Sequence, residues 1–120
     1  MILVDSSVWI GHFREADPEL TKVLDDDQVV THPFVVGELA MGNLPQRVVL
    51  LRRLVRLHGA VIASDTEVLQ FIEHERLFGL GLGYIDVHLL ASTRLTPDAR
   101  LWSRDRRLAD VAQRLGIAWP

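Results

Sequence analysis

Four consecutive apolar residues, Met1-Ile2-Leu3-Val4, run directly into Asp5-Ser6-Ser7. An unbroken apolar run marks a strand buried on both faces, as in a parallel sheet, and three successive helix-capping residue types mark the start of a helix. A buried strand followed by a tight turn and a helix is the opening unit of an α/β fold, and the rest of the chain repeats it. Val8, Trp9, Ile10 and Phe13 give a brief apolar helical face, and Pro18 opens a second helix through Leu20, Val23 and Leu24 that breaks at Asp25-Asp26-Asp27. Gln28 to Thr31 reads as a second strand. Pro33 starts a helix that places Phe34, Val35, Glu38 and Met41 on one side and ends near Gly42-Asn43, and Pro45 starts a longer one reaching His58-Gly59.

Ala60-Val61-Ile62 is the expected third strand, and Ser64 with Glu67 three residues later forms a capping box for a helix through Leu69, Ile72 and Phe78. Gly79, Gly81 and Gly83 make a turn. A helix over Tyr84 to Arg94, a strand over Ala99 to Ser103, a helix from about Arg104 to Leu115 and a short strand at Ile117 to Trp119 complete the alternation. Strands alternating with helices predict a three-layer α/β/α sandwich with a short parallel sheet, formed by residues 1–120 as one domain.

Composition narrows the chemistry. The chain has no cysteine, which excludes disulfide frameworks, zinc ribbons and thiol nucleophiles together and fits a cytoplasmic setting. Its 48% hydrophobic content is too high for disorder, and no apolar run reaches the ~18 residues of a membrane span, so no membrane association and no export signal are expected. The net charge of −3 means that affinity for a polyanion must come from local patches. Arg100, Arg104, Arg106 and Arg107 form one candidate patch, and Arg47, Arg52, Arg53 and Arg56 another; a solvated helix surface is the bland reading of both.

In an open parallel sheet, ligands bind beyond the carboxyl ends of the strands, where Asp5 and Asp105 both fall. Each has an ordinary explanation as a helix N-cap. Glu38 and Asp86 sit inside helical patterns on what reads as the apolar side, where a lone carboxylate is costly, and no Lys or Arg lies at i±3 or i±4 to pair with either. Four carboxylates brought together from positions 5, 38, 86 and 105 would repel one another unless a hard cation stood among them. Oxygen-only ligation selects Mg²⁺ or Mn²⁺ over Zn²⁺, and such a centre suits hydrolysis of a phosphodiester or phosphate ester. Ser6, Ser7 and Ser103 are candidates to orient these acids through hydrogen bonds, with helix capping as the alternative. The five histidines, His12, His32, His58, His74 and His88, lack ligand spacing and are expected at the surface or in partner contacts.

MILVDSSVWI at the start, FVVGELAMG over 34–42, GLGYIDVHLLAS over 81–92 and RLWSRDRRL over 100–108 closely resemble the PIN-domain ribonucleases, in particular the VapC-like toxins of bacterial toxin–antitoxin pairs. The resemblance covers essentially the whole chain. It implies a PIN-like fold and a Mg²⁺-dependent endoribonuclease, with Mn²⁺ as a substitute ion, acting on tRNA or rRNA and silenced by a cognate antitoxin. It also implies a homodimer. Asp5, Glu38, Asp86 and Asp105 match the family's metal-binding and catalytic acids, and Ser103 matches the Ser/Thr of the last motif; no substrate-binding residue is assigned. A catalytically silent PIN-like binding module and a metal-dependent phosphatase are the alternatives. The second lacks support at Ser7, where an aspartyl phosphatase carries another Asp, and a phosphorylated receiver domain would need a late lysine where this chain has only Lys22.

Overall fold

A computed structural model describes residues 1–120. Three short buried strands, β1 (Ile2–Val4), β2 (Val29–Thr31) and β4 (Arg100–Trp102), and the two-residue edge strand β3 (His58–Gly59) form one parallel sheet in the order β3-β2-β1-β4. The register pairs Ile2 with Val29 on one side and with Arg100 on the other. The helices are α1 (Ser6–Arg14), α2 (Pro18–Asp25), α3 (Pro33–Ala40), α4 (Arg47–Arg56), α5 (Asp65–Glu75), α6 (Tyr84–Leu95) and α7 (Arg106–Arg114).

The crossovers from β1 to β2 and from β2 to β3 move one way across the sheet, while the crossover from β3 to β4 returns past both. Right-handed connections therefore set α1 to α4 on one face and α5 and α6 on the other, giving the three-layer sandwich expected from the sequence. The contacts of α1 with α3 and of α5 with α6 follow that division. A core of 26 buried residues fills both interfaces, with Leu3 and Val4 of β1 wholly buried at its centre. Truncating a Leu so placed costs about 2–5 kcal/mol. No helix is long and apolar enough to cross a membrane.

Local sequence explains most boundaries. Pro18 and Pro33 occupy first-turn positions of α2 and α3, and Ser64 and Glu67 make both hydrogen bonds of the capping box, at 3.1 and 2.9 Å. The third strand departs from expectation: pairing stops at Gly59, and Ala60-Val61-Ile62 is not a strand. Val61 and Ile62 are exposed at the sheet edge, and the Val61 amide donates to Thr96 Oγ1 instead of to a neighbouring strand. The expected C-terminal strand is a single bridge between Leu101 and Ala118. The helix after Pro45 begins later and stops earlier than its apolar pattern suggests, at Arg47 and Arg56.

Candidate metal and catalytic centre

β1 and β4 lie side by side, and the Asp5 amide donates to the Trp102 carbonyl at 2.9 Å, so the carboxyl ends of these two strands are tied together. This is the point where the chain path reverses across the sheet, the usual ligand position of an open α/β fold. Asp5 occupies the N-cap position of α1 but its side chain makes no capping bond. Instead Ser7 Oγ and Ser103 Oγ donate to the same oxygen, Asp5 Oδ2, at 2.7 and 2.8 Å. With both hydroxyl protons used there, the 3.4 Å approach of Ser7 to Ser103 is a contact between acceptors. Each serine oxygen also accepts a backbone amide: Arg104 donates to Ser7 Oγ and Asp105 to Ser103 Oγ, both at 3.0 Å. Asp5 is 4% exposed, and two charge-assisted bonds on one oxygen fix its orientation.

Glu38 on α3, Asp86 on α6 and Asp105 just ahead of α7 lie near enough for their charges and that of Asp5 to act on one another. Ser6 Oγ donates to Glu38 Oε1 at 3.3 Å. Burial pushes the Glu38 carboxyl above its ordinary range, and the charges of Asp5 and Asp86 add to this against the Ser6 hydrogen bond. Burial likewise raises Asp86, opposed by the Gly83 amide and reinforced by Asp5 and Asp105. The Gly83 amide reaches Asp86 Oδ2 at 3.2 Å, which is half of a capping box, since glycine has no side chain to reciprocate. Asp105 is the N-cap of α7, its Oδ1 accepting from the Leu108 amide at 3.2 Å, so capping and site roles coexist there.

The burial pattern corrects the sequence reading of Glu38. Val35 and Leu39 are the buried positions of α3, whereas Phe34 and Met41 are 38% and 89% exposed, and Glu38 shares their accessible side. Its neighbours shield the carboxylate in part, although the residue as a whole is exposed. Asp86 is half-buried at the start of α6, ahead of the continuous buried run Val87 to Thr93.

None of the four acids takes part in an ion pair; the molecule's salt bridges involve other carboxylates. Nor do three acidic or histidine side chains come within joint reach of a single ion. The donor set is nonetheless all oxygen, mutually repelling and without an internal cation, which fits a hard divalent ion. Asp5, with Oδ2 held by two serines, leaves Oδ1 without a protein hydrogen bond for such an ion.

The expected basic patch around Asp105 is largely spent inside the molecule. Arg104 pairs with Asp17 and packs over Gly11, Arg107 donates to the Gly81 carbonyl, and Arg100 donates to the Gly116 carbonyl. Arg106 alone of the four makes no such bond. In the second patch, Arg47 closes the end of α3 through the carbonyls of Ala40 and Gly42. His32 and His88 also depart from expectation: they are 1% and 3% exposed, not at the surface. His32 is the N-cap of α3, its Nδ1 accepting from the Phe34 amide at 3.0 Å, and no single-sequence signal separates such a histidine from an exposed one.

A sequence model of the PIN domain matches residues 2–114. The chain is also 46% identical over 118 residues to a protein named Ribonuclease VapC32 in two strains of Mycobacterium tuberculosis, CDC 1551 / Oshkosh and ATCC 25618 / H37Rv. Each match covers 98% of this chain and 95% of the relative.

Proposed function

This chain belongs to the PIN-domain family, and we propose on that premise that it is a metal-dependent endoribonuclease acting as the toxin of a toxin–antitoxin pair. The observation that carries the proposal is the gathering of four carboxylates without ion-pair partners at the carboxyl ends of β1 and β4, in a chain that matches a ribonuclease over nearly its whole length. Asp5 and Asp86 hold Mg²⁺ or Mn²⁺ directly in this reading, and Glu38 and Asp105 complete the acidic wall. Such an ion, when bound, offsets the repulsion among the carboxylates, orients a phosphate and makes water a better nucleophile.

The chain's own residues do the rest. Ser7 and Ser103 keep Asp5 in one orientation, so the centre does not have to reorganise as negative charge builds on phosphorus. Glu38, with its carboxyl raised and Ser6 holding Oε1, is the acid suited to take the proton from the attacking water. Arg106 is the cation of the last motif left to meet RNA phosphates.

The partner is a cognate antitoxin. The groove lined by Ile10, Phe13, Arg14, Leu39 and Leu44 is its docking site in this reading, since apolar walls there border Glu38 directly. A homodimer acting in the cytoplasm on tRNA or rRNA completes the proposal.

The test is incubation of total tRNA and rRNA with the purified protein in Mg²⁺ or Mn²⁺, beside EDTA and beside Asp5→Asn and Asp86→Asn variants. The expected outcome is discrete cuts that need the metal and vanish in both variants. Cutting that persists in the variants, or none in wild type with bound RNA, would assign the acidic edge to a silent binding role.

A further inference from the structure

Asp5 and Asp105 follow β1 and β4, while aromatic rings stand at the starts of α3 and α6, the helices that carry Glu38 and Asp86. Phe34 lies in the first turn of α3 and Tyr84 opens α6, and both pack edge-on against His88, with ring centroids 4.9 and 4.6 Å away and planes at 71° and 87°. Phe34 and Tyr84 are 38% and 47% exposed, so the buried His88 props two accessible rings. The His88 nitrogens make no hydrogen bond, and Nε2 only approaches Asp65 Oδ1 at 3.4 Å. Asp65, the first residue of α5, accepts from the Tyr84 hydroxyl at 3.3 Å while its side chain stays 83% exposed.

These residues adjoin the proposed centre. Tyr84 precedes Asp86 by two residues, and Phe34 precedes Glu38 by one helical turn. We propose that Tyr84, Phe34 and Asp65 form a shelf that takes one unpaired base of the RNA, guanine in preference, beside the phosphate to be cut. The proposal rests on the ribonuclease reading and assigns substrate-binding residues to it. Accessible aromatic rings stack any base, and a carboxylate beside them reads only bases that offer N–H donors. Guanine offers two parallel donors, from N1 and its amino group, to the two oxygens of Asp65, whereas uracil offers one. A second copy of the chain is a poorer occupant, because a two-fold contact through this patch would set two acidic edges against each other.

Tyr84 is the chain's only tyrosine, so 3-fluorotyrosine places a single fluorine reporter on the shelf. The labelled protein is titrated with the ribonucleotides UUGUU and UUUUU in Ca²⁺, which neutralises the acids without requiring turnover, and cleavage of an RNA containing UUGUU is followed separately in Mg²⁺. The expected result is a saturable ¹⁹F shift with UUGUU at an affinity about tenfold above that of UUUUU, a preference worth ~1.4 kcal/mol. Asp65→Asn should erase the preference, and in unlabelled protein Tyr84→Leu should weaken UUGUU binding about tenfold. Equal shifts with the two ribonucleotides, or no saturable shift in a protein that cleaves the RNA, would overturn the shelf and leave the nuclease standing. A resonance that moves on dilution of the protein alone would overturn it in favour of a second copy. Neither shift nor cleavage would remove the ribonuclease reading and the shelf together.

Discussion

Ser103 Oγ, at the end of β4, donates to Asp5 Oδ2, at the end of β1, across 98 residues of sequence and 2.8 Å of space. Ser7 reaches the same oxygen from the first turn of α1. A buried carboxylate held this way has one oxygen committed to the protein, and the consequence is measurable. Ser103→Ala should lower metal affinity and cleavage rate together by about 10–100-fold, with Ser7→Ala in the same range and Ser103→Thr close to wild type. Calorimetric Mn²⁺ titration beside single-turnover cleavage checks this, and loss of cleavage with full metal affinity would contradict it.

The acids should act against stability in the absence of metal. Glu38 and Asp86 both have raised folded-state values, so their contribution is fully present below the ordinary carboxylate range near ~4 and is lost as pH rises through the raised values. In EDTA at pH 7, Asp86→Asn should therefore melt higher than wild type, and the difference should shrink as the pH falls toward 4. A divalent ion should raise the wild-type midpoint and affect the variant less. Scanning calorimetry of the two proteins at both pH values decides the matter.

His32 should behave in the opposite sense. Burial, reinforced by the charge of His88, holds its imidazole below the ordinary range. Its contribution is present above ~6.5 and is lost as pH falls through the depressed value. His32→Ala, which removes a buried ring and the cap of α3, should cost about 2–4 kcal/mol at pH 7, with Asn recovering the part that belongs to the cap. Urea denaturation across pH 5 to 7 should show a shallower acid loss in His32→Asn than in wild type.

Some of this was legible in the chain and some was not, for physical reasons. The junction at Val4-Asp5-Ser6 is readable because strand burial and helix capping are both local, and Ser64 with Glu67 is readable because both halves of the box lie within one turn. Hydrophobicity puts β3 at Val61 and Ile62, whereas pairing at an edge is decided by where the neighbour's backbone ends. The pattern puts Glu38 on the buried face because Phe34 and Met41 look like core residues, yet both are exposed. The joint hold of Ser7 and Ser103 on one oxygen is invisible to sequence, since it depends on β1 and β4 lying side by side. Arg104 looked like an RNA contact because Asp17, its partner, is 87 residues away.

The loop before Asp86 turns through two left-handed glycines, Gly79 and Gly81, and only the second is crowded. Gly81 has φ +77°, and a Cβ there would meet Arg107 Nη1 at 2.6 Å. Gly81→Ala should cost about 1–2 kcal/mol from the left-handed backbone alone. Gly37, inside α3 with nothing within 4 Å of an added Cβ, is the control; Gly37→Ala should be stabilising by up to about 1 kcal/mol. Chemical denaturation of the two variants tests the pair.

The most direct test of the central claim, that the acidic edge directs water at phosphorus, is the chemistry of the cut ends. Once a cleavage site is mapped, the nucleotide on its 5′ side is replaced by its 2′-deoxy counterpart and the products are analysed by mass. Hydrolysis at the Asp5, Glu38, Asp86 and Asp105 edge predicts that the deoxy substrate is still cut, leaving a 5′-phosphate and a 3′-hydroxyl. Loss of cutting on deoxy substitution, with 2′,3′-cyclic phosphate ends from the unmodified RNA, would mean that the neighbouring hydroxyl is the nucleophile and that the acidic edge does not perform the reaction assigned to it.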